Sequence, residues 1–156
     1  MKEFIGCDAH KKFSMFVTMN EQGEYGHLVR VNHERAQMRA FLGELPSGSQ
    51  IALETSGSYY WLVDEMELAG HQAHLAHAAT AKRRMEGRHK SDKHDTRGLA
   101  MLLRNGTLPE VWIPPKQLRD EREMLRLRMS LVATRTGYKN RTICTEAPGG
   151  RNSPAG

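Results

Sequence analysis

The spacing of apolar positions along the chain changes several times, and each change marks an element. Residues 4–10 (FIGCDAH) form an apolar run that turns polar at its end, while 13–20 (FSMFVTMN) and 25–32 (YGHLVRVN) read as two further strands. Glu21-Gln22-Gly23-Glu24 supplies the turn between the last two. Three strands joined so tightly predict an antiparallel meander. The period then becomes helical: Met38, Phe41, Leu42 and Leu45 fall on one face, with Asn32 placed to cap the helix and Pro46 to stop it. QIALE (50–54) is a short buried strand, broken by Thr55-Ser56-Gly57. Ser58 can cap a second helix carrying Tyr59, Leu62, Val63 and Met66, which Gly70 closes. QAHLAHA (72–78) is a fifth strand. The polar, basic residues 79–91 read as a loop or a frayed helix.

A further helix is expected from about Lys93 to Arg104, ended by Asn105-Gly106, and VWIPP follows as an extended link. From Lys116 a long basic helix begins, in which Leu118, Leu125 and Val132 recur every seven residues with Met129 filling in, the pattern of a coiled-coil seam. The end of the chain loses all periodicity and is rich in Gly, Pro and small polar residues, which predicts disorder. The order β-β-β-α-β-α-β followed by helices is that of an RNase-H-like α/β domain with a mixed five-stranded sheet. The expected organisation is a domain over 1–112, a helical coiled-coil segment over 116–141 and a disordered tail over 142–156.

The 156 residues are 38% hydrophobic and 26% charged, enough for one folded domain with a real core. No apolar run approaches a membrane span, and the start lacks a signal-peptide core, so a cytoplasmic protein without membrane contact is expected. Cys7 and Cys144 are two lone thiols, neither a disulfide framework nor a zinc site, and Cys7 reads as a small buried filler. Charge is unevenly spread. Residues 1–81 carry −4 and residues 82–156 carry +9. A basic second half suits contact with a phosphate backbone, although charge alone fits a solvated surface better.

Four carboxylates stand out. Asp8 lies at the polar end of the first strand, where burial is costly unless a partner compensates it. Glu54 ends the strand IALE in the same way, and neighbouring parallel strands present their carboxyl ends at one edge, where ligands gather. Asp92 and Asp95 are three residues apart, on one helical face that Leu99 and Leu102 continue. Singly, each also fits a plain role: a strand reaching solvent, or an N-cap and a dipole partner for Asp92 and Asp95. Together they make an all-oxygen site of the kind that Mg²⁺ or Mn²⁺ prefers. Lys82, Arg83, Arg84, Arg88, Lys90, Lys93 and Arg97 flank Asp92 and Asp95 and could hold a nucleic-acid strand by its phosphates. His71, His74 and His77 recur every three residues but alternate faces on a strand, so a shared metal is not expected. His71 reads as a loop residue, the other two as partly buried. Trp61 and Trp112 read as packing anchors, and Tyr59 as a helix-packing residue.

GCDAHKK, LETSGSY, LAHAATAKR and KSDKHDTRGLA resemble the blocks of the DEDD transposases of the insertion sequence 110 group, whose relatives include Piv-type DNA invertases and bridge-RNA-guided recombinases. The resemblance runs from Met1 to about Arg141. It implies a RuvC-like amino-terminal domain in which Asp8, Glu54, Asp92 and Asp95 are catalytic and bind a divalent metal, with DNA as partner and a structured guide RNA in some members. The heptad-like seam of the helix from Lys116, for its part, predicts a homo-oligomer, a dimer or higher assembly formed through that C-terminal helix. Family members carry a serine nucleophile in a second domain that nothing here matches, so a truncated form is expected. Two rivals stand beside this. One is a non-catalytic nucleic-acid-binding remnant. The other is an ATPase-like domain, which needs a Gly-rich hairpin where this chain has Ala9-His10-Lys11-Lys12.

Overall fold

The computed structural model describes residues 3–55, 59–85 and 92–146, the side chains of 92–94 and 143–146 excepted. Two compact units are present, Met1–Ile113 and Pro114–Gly156. The first is built on a six-stranded sheet of order β3-β2-β1-β4-β5-β6. Strands β1 (Phe4–Ala9), β2 (Phe13–Met19) and β3 (Tyr25–Asn32) form the expected antiparallel meander. Strands β4 (Gln50–Glu54) and β5 (Gln72–Ala76) add to β1 in parallel. A sixth strand, β6 (Glu110–Val111), pairs antiparallel with β5 inside the segment expected to be an extended link. It is fixed partly by His74 Nδ1, 2.8 Å from Glu110 Oε1.

Alternation along the strands divides the core into two layers. Ile5, Cys7, Phe16, Val31, Ile51, Leu53 and Leu75 cluster with Met38 and Leu42 of α1 (Arg35–Glu44) and with Leu62, Val63 and Met66 of α2 (Tyr59–Leu68). On the opposite face Ala52 and Ala76 pack with Ala81 of α3 (Ala78–Arg84) and with Leu99, Leu102 and Leu103 of α4 (Asp92–Arg104). Val17 and Met19 meet Ala100 of the same helix. Fully burying one such side chain is worth roughly 1.5–3 kcal/mol, so both faces of the sheet are needed.

Local details depart from the sequence pattern. Asn32 does not cap α1. It still belongs to β3, its amide donates to Gln37 Oε1 (3.2 Å), and Glu34 holds the cap position without a side-chain cap bond. Helix α3 forms within the basic stretch because His77 accepts from the Thr80 amide at its start and Ala81 is buried. His77 is therefore an exposed cap rather than a partly buried strand residue. His71 is buried, with Nε2 2.9 Å from the Leu42 carbonyl oxygen, and ties β5 to α1. Trp61 packs against the core, but Trp112 is 63% exposed and anchors no core.

The second unit is dominated by α5 (Lys116–Glu146), which continues five residues past Arg141. Residues 147–156, most of the expected tail, lie outside the described residues. Among the described residues no helix is long and apolar enough to cross a membrane.

Helices α1 and α2 are clasped by charge. Glu65 of α2 is buried and accepts from Arg39 Nε (2.6 Å) and Nη2 (3.3 Å), with Arg35 Nε at 3.6 Å. The hydrogen bond from Arg39 holds the Glu65 carboxyl below its ordinary value of 4.5, against an opposing push from burial. A depressed folded-state pKa stabilises above the unfolded value, and that stability is lost as pH falls through the folded one. Glu65→Gln is expected to cost about 1–3 kcal/mol at neutral pH. Thermal unfolding over a pH series should show the gap between variant and wild type closing below the ordinary carboxylate range.

Candidate metal centre

The site begins at a glycine. Gly6 faces α4, and a Cβ there would overlap the Thr96 carbonyl oxygen and stand 3.0 Å from the Ala100 amide nitrogen. The helix backbone therefore lies directly on β1, a distance only glycine permits. Two residues along the same strand face is Asp8, and one residue before Thr96 is Asp95, so the close approach brings Asp95 to the carboxyl end of β1. Glu54 ends β4, the parallel neighbour of β1. Cys7 pairs with Leu53 and Glu54 with Ala76, which sets Asp8 and Glu54 side by side at one sheet edge.

Electrostatics record the same convergence. Glu54 has its pKa raised above the ordinary 4.5, first by burial, then by the negative charges of Asp8 and Asp95, while Lys82 pulls it back. Three carboxylates from β1, β4 and α4 thus share one field, with a lysine of α3 beside them. Like charges gathered in a half-buried place are unfavourable unless a cation joins them, and an all-oxygen donor set suits a hard divalent ion. Among the described residues no three donors are already closed around a point. Asp92 opens α4, but its side chain lies outside the described residues.

The basic residues separate. Lys82 and Arg83 are exposed on α3, and Lys82 faces the carboxylates. Arg84 donates to the Thr107 carbonyl and so braces the loop after α4. Arg97 lies over the Tyr25 ring, 4.8 Å from its centroid, and its carbonyl oxygen accepts from the Tyr25 hydroxyl (3.4 Å). That contact fastens α4 to β3. Arg88, Lys90 and the Lys93 side chain lie outside the described residues.

Asp8 also has neighbours that the sequence pattern does not single out. His10 Nε2 stands 3.2 Å from Asp8 Oδ2, an electrostatic contact. The His10 ring stacks on Phe13 at 4.4 Å, and the Arg30 guanidinium lies 4.0 Å over the same Phe13 ring. The i, i+2 spacing of Asp8 and His10 is the available signal, because alternate strand residues share a face. Cys7 takes no part: burial pushes its thiol far above the ordinary range, leaving it neutral and inert. Tyr59 packs on the core and against Tyr60 (4.2 Å).

Two substitutions should move stability in opposite directions. Gly6→Ala forces backbone apart and is expected to cost at least about 1–3 kcal/mol. Glu54→Gln removes one of the repelling charges and should raise the melting temperature of metal-free protein by roughly 4 °C, the shift that ~1 kcal/mol produces in a unit the size of Met1–Ile113. Thermal unfolding in a chelator reads both.

No curated protein matches the chain in sequence. Among solved structures, RuvC of T. thermophilus in complex with a Holliday junction substrate is similar, with 12% sequence identity and a TM-score of 0.52 over 71% of this chain and 100% of that one. At that identity the likeness concerns the fold, which is RuvC-like. The family model for DEDD transposases of the insertion sequence 110 type, described as transposase, matches residues 5–145. With its RuvC-like sheet and its carboxylates gathered at one edge, the chain belongs to that transposase family.

Proposed function

We propose that the first unit acts on DNA phosphodiester bonds in transposition, with Asp8, Glu54, Asp92 and Asp95 holding Mg²⁺ or Mn²⁺. The observation that carries this is Glu54, half-buried in the combined field of Asp8 and Asp95. A fold gains no stability from such an arrangement, so its use lies in binding a cation. When bound, the metal supplies charge stabilisation for the attacking and leaving oxygens of the phosphodiester. The protein's own part is to fix the ligands. Asp8 and Glu54 are set by sheet register, and Asp95 by the contact of α4 with Gly6. His10 restrains the Asp8 carboxylate. Lys82 and Arg83 draw a phosphate backbone towards the edge, and an RNA guide would meet the same surface.

Calorimetry with Mg²⁺ and Mn²⁺ tests the site. The wild type should bind, and Asp8→Ala, Asp92→Ala or Asp95→Ala should each weaken binding at least about tenfold, since losing even a residue that only supports a metal ligand typically costs ~10–100-fold. Equal binding by all four proteins would sink the metal site. DNA binding without any metal binding would favour the non-catalytic module instead.

Helix α5 is the proposed oligomer contact. It is about 46 Å long at 1.5 Å per residue, and Leu125, Met129 and Val132 are exposed along its seam. A second copy of the same helix would cover them as knobs into holes. Sedimentation should give a dimer or higher assembly that Leu125→Glu with Val132→Glu dissociates. A wild-type monomer at high concentration would remove the idea.

A further inference from the structure

The carboxylate edge is flanked by positive charge on both sides, and the second flank is one that charge clustering in the sequence does not reveal. Arg30, Met15 and Asp8 are register partners across β3, β2 and β1, so Arg30 lies in the same cross-sheet row as Asp8 and on the same face. Glu54 and then Ala76 extend the edge in the other direction, and Lys82 follows on α3. Lys11 and Lys12 lie in the β1–β2 turn at this edge. Along the sheet the order is positive, acidic, positive.

The Arg30 side chain is held ready for a ligand. Its guanidinium lies over the Phe13 ring, which in turn stacks with His10 beside Asp8. Stacking uses the face of a guanidinium and leaves its in-plane N–H donors available. Among the described residues no carboxylate forms an ion pair with Arg30, Lys11 or Lys12. The nearby acid Glu34 is engaged by Gln37 Nε2 at 2.8 Å. An exposed cation fixed on an aromatic ring, with no counter-ion among the described residues, suits an external anion.

We infer that Arg30, with Lys11 and Lys12, forms a second phosphate-binding flank, so that a DNA backbone crosses the sheet edge from Arg30 over the carboxylates to Lys82. This rests on the nucleic-acid function proposed above and adds the course of the strand. Four inter-strand steps of roughly 4.8 Å separate β3 from β5, about 19 Å in all. With one phosphate per ~3.4 Å of helix axis on each strand, a duplex lying along that line presents about five or six phosphates of one strand over the distance. A backbone gripped on both sides holds the intervening phosphate over the acids against their own repulsive charge.

The test is fluorescence anisotropy of the full chain with a labelled 20-base-pair duplex of mixed sequence, titrated across salt in a chelator. Lys11→Ala, Lys12→Ala and Arg30→Gln combined should weaken binding about tenfold or more. The same triple variant should flatten the dependence of log K on log salt by roughly one unit for each phosphate it no longer neutralises. Phe13→Leu should give part of the Arg30→Gln effect, because it removes the surface that holds the guanidinium. A purely structural Arg30 would lower the melting temperature and leave the salt slope alone. If the triple variant keeps wild-type affinity and slope while Lys82→Ala weakens binding, the second flank is wrong and the nucleic-acid function stands. If the wild type binds no duplex even at low salt, both fall together.

Discussion

The contact between the backbone of α4 and the backbone of β1 at Gly6 is the constraint on which the rest depends. A helix normally rides on a sheet at the distance set by intervening side chains. Here the Thr96 carbonyl fills the space a Cβ would need, and α4 descends onto the strand. Leu99, Ala100, Leu102 and Leu103 are then buried against Ala52, Ala76, Val17 and Met19. The same descent carries Asp95 to the end of β1, where Asp8 and Glu54 already lie. Packing and the grouping of the carboxylates are therefore set by one glycine, and a change that loosens the first displaces the second.

The cost of the arrangement is borne at Glu54. Burial and two neighbouring negative charges make its ionised form unfavourable, and a single lysine offsets only part of that. A carboxylate serving the fold is treated differently in this protein. Glu65 is also buried, yet it is paired with Arg39 and Arg35 and its carboxyl is held down rather than up. Glu65 is satisfied within the fold, whereas Glu54 is pushed up by burial and by its neighbours, the contrast expected of a carboxylate that serves the proposed cation site.

Much of this is legible in the sequence. The strands and helices follow from changes of period, and Asp8 and Glu54 are visible as acids ending apolar strands. What is not legible depends on distant parts of the chain. Strand β6 consists of two residues and exists only because β5 offers an edge and His74 meets Glu110. Gly6 reads as an ordinary small residue until the helix above it is placed. Arg97 stands among the phosphate-binding candidates because it is two positions from Asp95, but two positions on a helix are about 200° of rotation. Its guanidinium lies over the Tyr25 ring, on the β3 side of the helix. Arg30 is hidden for the converse reason: it is 22 residues from Asp8 in sequence and in the same row of the sheet.

Anomalous diffraction from crystals grown with Mn²⁺ tests the central claim most directly, because it locates the ion without assuming its ligands. The account predicts a peak at the carboxyl ends of β1 and β4, between Asp8, Glu54 and Asp95, with Asp92 completing the shell. Manganese bound elsewhere, or an ordered site edge that takes no ion at saturating Mn²⁺, would contradict it.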